Sequence, residues 1–170
     1  MEKPEIRLSE AAEQEHPFEP IWSRESRILI LGSFPSVRSR EEGFYYGHPR
    51  NRFWAMLARI YGEETPESVE QKTELILRHR LALWDALHSC RVTGSADASI
   101  RDAVPNDIPR LIVGTQITRV LANGQTAAKA CQKAGFPYPL TVLPSTSPAN
   151  AAWSLERLCE VWGRELKKEE

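Results

Sequence analysis

Apolar and polar positions change period several times along the chain, and each change marks an element. Arg27-Ile28-Leu29-Ile30-Leu31-Gly32 is a continuous apolar run stopped by glycine, the pattern of a strand buried on both faces of a parallel sheet. Leu81 to Trp84, Ile117 to Leu121 and Leu140 to Leu143 are shorter runs of the same kind. Between them the period becomes helical. Phe53, Trp54, Leu57 and Tyr61 recur behind Asn51, whose side-chain oxygen can accept an early backbone N–H, so a helix is predicted over 51–61. Glu67 to His79 reads as an amphipathic surface helix around Val69, Leu75 and Ile76, and Gln125 to Ala134 as an Ala-rich helix closed by Gly135. Ala151 to Leu166 carries Trp153, Leu155, Leu158, Val161 and Trp162 on one side and predicts a closing helix. Ile108 to Val113 fits either state.

Strands separated by helical sequence predict a parallel sheet covered by helices on both faces. Residues 1–26 are polar and carry Pro4, Pro17 and Pro20, so they read as an irregular lead-in whose His16 to Trp22 part packs on the core. A single domain is expected over 27–166, followed by a charged tail at 167–170. Long loops are expected over 33–50 and 88–106, the second with at most a helical turn near Ser99 to Ala103, and a tight one over 144–150. Ligands of such sheets bind at the carboxyl ends of the strands. Those ends feed the loops 33–50, 85–97 and 144–150, which are also the most unusual stretches by composition.

The chain has 170 residues, 41% hydrophobic, 26% charged and 8% aromatic, which suits one globular domain and excludes collagen, disordered tails and coiled coils. Its longest purely apolar run, Ile28 to Leu31, is far short of the roughly 20 residues of a membrane span, and the N-terminus lacks a signal-peptide layout. A cytoplasmic protein is expected. Lys plus Arg is 22 and Asp plus Glu 23, so the net charge of −1 does not by itself call for nucleic acid. Cys90, Cys131 and Cys159 form no CxxC pair, and His16, His48, His79 and His88 are scattered. Three reduced thiols, no metal and no cofactor are therefore expected.

Local sequence carries the chemistry. Gly32-Ser33-Phe34-Pro35-Ser36 leaves a strand with small residues, either as a plain turn or as a loop whose amides approach a phosphate or base. Gly43 to Trp54 mixes stacking groups, cations and an amide, as nucleobase recognition does. Helical period assigns Phe53 and Trp54 to the core, but Tyr45 and Tyr46 cannot both be explained that way. Arg38, Arg40, His48, Arg50 and Arg52 fall within fifteen positions and suit either phosphate contact or ion pairing within the loop. In Pro144-Ser145-Thr146-Ser147-Pro148-Ala149-Asn150, Ser147 or Asn150 can cap the following helix, whose first amides can bind an anion. Arg91 to Asp97 adds a carboxylate and small residues.

Three motifs in order resemble the uracil-DNA glycosylase superfamily, most closely its hypoxanthine-DNA (deoxyinosine) glycosylase branch. They are Leu29 to Ser36, Tyr45 to Trp54 and Leu143 to Asn150, with Arg91 to Ile100 agreeing as a fourth, and the likeness runs from about 17 to 166. The resemblance implies a three-layer α/β/α sandwich with a central four-stranded parallel sheet and a DNA groove across the strand ends. It implies a monomeric, metal-free, monofunctional glycosylase of DNA repair that flips out a deaminated base, most like hypoxanthine, and hydrolyses its N-glycosidic bond. Matched to the motifs, Asn51 is the catalytic amide, Tyr46 the stacking ring, and Gly32, Ser33 and Phe34 hold the base edge. Ser36, Arg50, Arg52, Ser145, Ser147, Pro148 and Asn150 are matched to the DNA contacts. Mismatch-specific uracil enzymes carry an asparagine where this chain has Phe34, which counts against a uracil or mismatch glycosylase. The residues also admit a catalytically silent damaged-DNA-binding protein and a domain acting on free nucleosides. Lys3, Lys72, Lys129, Lys133, Lys167 and Lys168 all lie outside the motifs, so no Schiff-base lyase step is expected.

Overall fold

The structure, a computed structural model, describes residues 12–15, 18–33, 44–92 and 101–168. In chain order these form β1 (Ala12–Glu15), β2 (Ile28–Gly32), α1 (Phe53–Ile60), α2 (Val69–Arg78), β3 (Leu81–Asp85), β4 (Leu87–Val92), β5 (Arg101–Pro105), α3 (Ile108–Val113), β6 (Arg119–Asn123), α4 (Gln125–Lys133), β7 (Thr141–Leu143) and α5 (Leu155–Leu166). The central sheet has the order β3-β2-β6-β7 and every pair in it is parallel. Ile30 lies opposite both Leu83 and Leu121, which places β2 in the interior.

Because side chains alternate across a strand, β2 must bury both of its faces. Ile28 and Ile30 join Leu81, Leu83, Leu121 and Leu143 under Phe53, Met56, Leu57, Leu75, Leu158 and Trp162, which come from α1, α2 and α5. Leu29 and Leu31 join Ala82 and Val120 against Ile108, Leu111 and Cys131 from α3 and α4. Two helical layers thus enclose one sheet, as the run Ile28 to Leu31 requires. Each fully buried aliphatic side chain contributes about 1.5–3 kcal/mol. Ile21 extends the same core: its N–H and carbonyl exchange 2.9 Å hydrogen bonds with Leu83, on the outer edge of β3.

Several elements differ from the expectation. The described parts of the expected loop 88–106 hold strands instead: β4 pairs antiparallel with both β1 and β5 to make a second sheet, and Arg101 to Ala103, expected in a helical turn, lie in β5, while residues 93–100 lie outside the described residues. His88, Ser89, Cys90 and Arg91 show no apolar alternation, and the register shifts around Ser89, so the period-2 signal that would announce these strands is missing. Residues 12–15, within the segment expected to be irregular, supply β1. Ile108–Val113 resolves to a helix because the Asp107 carboxylate accepts the Arg110 N–H at 3.2 Å and Pro109 sits in the first turn. The closing helix starts at Leu155 rather than 151: Ser154, not Ser147 or Asn150, is its cap, accepting the Arg157 N–H at 3.2 Å.

Trp162 ties this last helix to the loop after β7, for its ring is buried and its Nε1–H donates to the Pro144 carbonyl at 2.9 Å. Trp162→Phe keeps an aromatic ring but orphans that carbonyl. It should cost about 1–3 kcal/mol of stability, read as a lowered urea midpoint.

Candidate active site at the carboxyl ends of the central sheet

β2 ends at Gly32, β3 at Asp85, β6 at Asn123 and β7 at Leu143, so parallel pairing gathers four chain exits at one edge. A methyl group on Gly32 would stand 2.3 Å from Asp85 Oδ1 and 3.0 Å from the Tyr46 hydroxyl. Only a residue without Cβ lets a carboxylate and a phenol come this close to the strand end. Asp85 is 3% exposed, and its surroundings are held by main-chain bonds: Ala86 N–H to the Gly32 carbonyl at 2.7 Å and Leu87 N–H to the Ser33 carbonyl at 3.0 Å. Asn106 Nδ2 donates to the carbonyls of Asp85 (2.8 Å) and Leu87 (3.1 Å), fixing the turn between β3 and β4.

The two tyrosines part company. Tyr45 is a buried plug, its hydroxyl donating to the Glu19 carbonyl at 2.8 Å, while its own carbonyl accepts Trp54 Nε1–H at 2.9 Å. Tyr46 has a positive φ of 53° and is half-buried, with its ring on Phe53 at a centroid distance of 4.2 Å. Its hydroxyl is buried and has no hydrogen-bond partner among the described residues, so the accessible part of the residue is not the oxygen. Burial first, then the Asp85 carboxylate, pushes the pKa of both phenols up. Tyr46 therefore enters the site as a neutral, protonated ring.

Asn51 is joined to this edge by a directed chain. Its Oδ1 accepts the Phe53 N–H at 3.0 Å and the Thr146 hydroxyl at 2.9 Å. Thr146 N–H donates to Asn123 Oδ1 at 3.0 Å, and Asn123 Nδ2 donates back to Thr146 Oγ1 at 3.0 Å. The helix expected over 51–61 starts at Phe53 with Arg52, not Asn51, at its N-cap and no side-chain cap bond there; Asn51 sits one residue earlier and its oxygen takes the first N–H of α1 in a local turn. That bond uses the oxygen, and the Asn51 Nδ2 group makes no hydrogen bond among the described residues.

Arg52 departs from the expected DNA contact. Its guanidinium donates to the carbonyls of Thr146 (3.3 Å), Ser147 (2.7 Å), Asn150 (3.1 Å) and Trp153, and its backbone N–H to Thr146 at 3.1 Å. Four of the side chain's five N–H groups are spent inside the protein, so they do not point to phosphate. Within the clamped loop Ser145 Oγ accepts the Ser147 N–H, Ser147 Oγ accepts the Ala149 N–H, and Asn150 Nδ2 donates to the Ser145 carbonyl. Gly124, at φ 94°, permits the close approach of this loop, since a Cβ there would lie 2.9 Å from Ser145 Cβ. Pro148 is half-buried and Arg50 exposed, and the Arg50 side chain makes no ion pair among the described residues.

Gly32, Ser33, Tyr46, Asn51 and the loop from Ser145 to Asn150 are therefore brought together, whereas Phe34, Ser36 and the Thr93–Ile100 part of the fourth motif lie outside the described residues. Among the described residues no group of three or more His, Cys, Asp or Glu could hold a metal ion, and no helix is long and apolar enough to cross a membrane. Asp85, Asn123 and Thr146 are the residues that sequence reasoning missed. The signals were present: a carboxylate ending the apolar run Leu81 to Trp84, and an amide ending the run before Gly124.

Comparison with known proteins agrees with this fold. Residues 20–164 match the model of the uracil DNA glycosylase superfamily, and the chain belongs to that family. Membership places it among DNA glycosylases, hydrolases of N-glycosyl bonds, on the three-layer α/β/α fold described above. Two relatives named hypoxanthine DNA glycosylase are similar to it. The one from Methanosarcina acetivorans is 34% identical over 84% of this chain and 92% of its own length, and the one from Methanosarcina barkeri 31% identical over 89% and 97%. A solution NMR structure from Methanosarcina acetivorans, provisionally described as a uracil DNA glycosylase, superposes with a TM-score of 0.75 at 32% identity, covering 90% of this chain and 98% of that one.

Two substitutions check the geometry. Arg52→Lys replaces a planar fork by a point charge that cannot reach four carbonyls, so the melting temperature should fall by about 2–8 °C in a calorimetric scan. Gly32→Ala should cost about 1–3 kcal/mol in chemical denaturation, because Asp85 must move for the methyl group to fit.

Proposed function

We propose that the protein is a monofunctional DNA glycosylase that removes hypoxanthine from deoxyinosine in DNA and so starts base excision repair. The observation that carries this reading is the Asn51 carboxamide, whose oxygen is pinned on both sides so that its NH2 group is left as the donor presented to a ligand. The names of the two Methanosarcina relatives support hypoxanthine as the base.

In this mechanism the damaged nucleotide leaves the stack, at a cost of a few kcal/mol, and its base lies against the Tyr46 ring, which Phe53 backs from behind. The strand end at Gly32, Ser33 and Phe34 holds the base edge. Breaking the N-glycosidic bond puts positive charge on the sugar and negative charge on the departing base. The Asn51 N–H groups meet that negative charge or orient the attacking water. Arg50 and Ser36, with the loop of Ser145, Ser147, Pro148 and Asn150, contact the DNA, while Arg52 serves it indirectly by holding that loop. No lysine stands in the motifs to form a Schiff base, and the chemistry calls for neither metal nor redox cofactor. The protein acts as a cytoplasmic monomer.

A uracil preference is the second reading, favoured by the description of the NMR relative. Alkali-revealed strand cleavage on duplexes carrying a single hypoxanthine, uracil or xanthine, without added metal, separates the readings. Cleavage fastest at hypoxanthine is expected; fastest at uracil would replace the proposal by the second reading, and tight binding without cleavage would leave a damage binder. Asn51→Ala should fold and lose base release by about 10²–10³-fold, whereas near-normal release would remove Asn51 from catalysis.

A further inference from the structure

The hydrogen-bond chain behind Asn51 runs in one direction, and the direction is fixed at both ends by groups that can only donate. Phe53 N–H faces one Asn51 atom, so that atom is the oxygen. Thr146 N–H faces one Asn123 atom, so that atom is also an oxygen, and the Asn123 NH2 group turns to Thr146 Oγ1. With its oxygen already accepting from Asn123, the single Thr146 hydroxyl proton goes to Asn51 Oδ1. Thr146 is 0% exposed, so water cannot take over either bond.

We propose that Thr146 is the positioning residue of the active site: its hydroxyl, oriented by Asn123, locks the Asn51 carboxamide with its NH2 group toward the substrate. This rests on the reading that Asn51 acts in base release, and it assigns a role that follows from neither the local turn at Asn51 nor the motif. One bond, from Phe53 N–H, holds the oxygen of an amide but leaves rotation about the side chain; the second bond, from a different part of the chain 95 residues away, removes it. The lock also makes the geometry of Asn51 depend on the loop after β7, the same loop that Arg52 clamps through the Thr146 carbonyl.

The test compares Thr146→Val, which keeps the shape without the hydroxyl, with Thr146→Ser, which keeps the hydroxyl. Single-turnover base release from a hypoxanthine duplex should slow by about 10- to 100-fold in the valine variant, with duplex affinity within about twofold of the parent, and recover in the serine variant. The side-chain amide resonances of Asn51 in 15N NMR of the free protein should shift toward those of a mobile exposed amide in Thr146→Val and stay near the parent in Thr146→Ser. Should valine prevent folding, Thr146→Ala against Thr146→Ser, which differ by one oxygen, makes the same comparison. Equal loss in the serine and hydroxyl-free variants would mean a packing role and overturn the proposal, as would slow release with unchanged Asn51 resonances. Inactive Asn51→Ala beside a normal Thr146→Val would overturn it alone, while active Asn51→Ala would overturn the role of Asn51 and this inference with it.

Discussion

The Arg52 guanidinium bonded to the carbonyls of the loop from Thr146 to Trp153 is the contact on which the site depends. A loop rich in serine and proline has few apolar side chains with which to hold itself down, and its carbonyls need donors wherever they leave water. Hydrogen bonds from a charged donor contribute about 1.5–3 kcal/mol each in favourable settings, against the conformational cost of ordering the loop residues. Arg52 also stands at the start of α1, whose Phe53, Met56 and Leu57 are buried in the core. The clamp therefore fastens the loop to the most rigid part of the molecule, and Asn51, one residue earlier, is carried with it.

Parallel pairing brings the remaining parts within reach. Gly32, Asp85, Asn123 and Leu143 end neighbouring strands, so groups far apart in the chain share one edge. Two glycines set how tightly they can converge: Gly32 admits Asp85 and the Tyr46 hydroxyl, and Gly124 admits Ser145. Buried polar groups at such an edge are costly unless paired, and here most are, through Asn106, Asn123 and Thr146. Among the described residues the Tyr46 hydroxyl is the buried exception, beside a buried carboxylate at the place where ligands of such sheets bind.

This arrangement suits a reaction that needs positioned donors more than it needs a titrating nucleophile. The net charge is only −1, and Arg50 is an exposed cation beside the site. In the proposed mechanism a flat base stacks on a stiff aromatic layer, Tyr46 on Phe53 with Phe53 edge-on to Trp54, which has little rotamer freedom to lose on binding.

The one-dimensional pattern was enough for the central sheet and its covering helices, because Ile28 to Leu31 can only be satisfied by burial on two faces and the helices keep one apolar side each. It was enough also for the motifs that meet at the strand ends, since Asn51, Tyr46 and Ser145 to Asn150 announce themselves by residue type. The second sheet escaped it, for β1, β4 and β5 hold together through backbone pairing that leaves no mark on side-chain period. Arg52 looked like one more phosphate ligand in a basic loop, and its four carbonyl partners come from about a hundred residues further along. Which oxygen Thr146 faces, and which tyrosine becomes the plug, were likewise decided only when the chain folded. Composition and period report what must be buried, whereas the direction of a hydrogen bond depends on neighbours that only tertiary packing supplies.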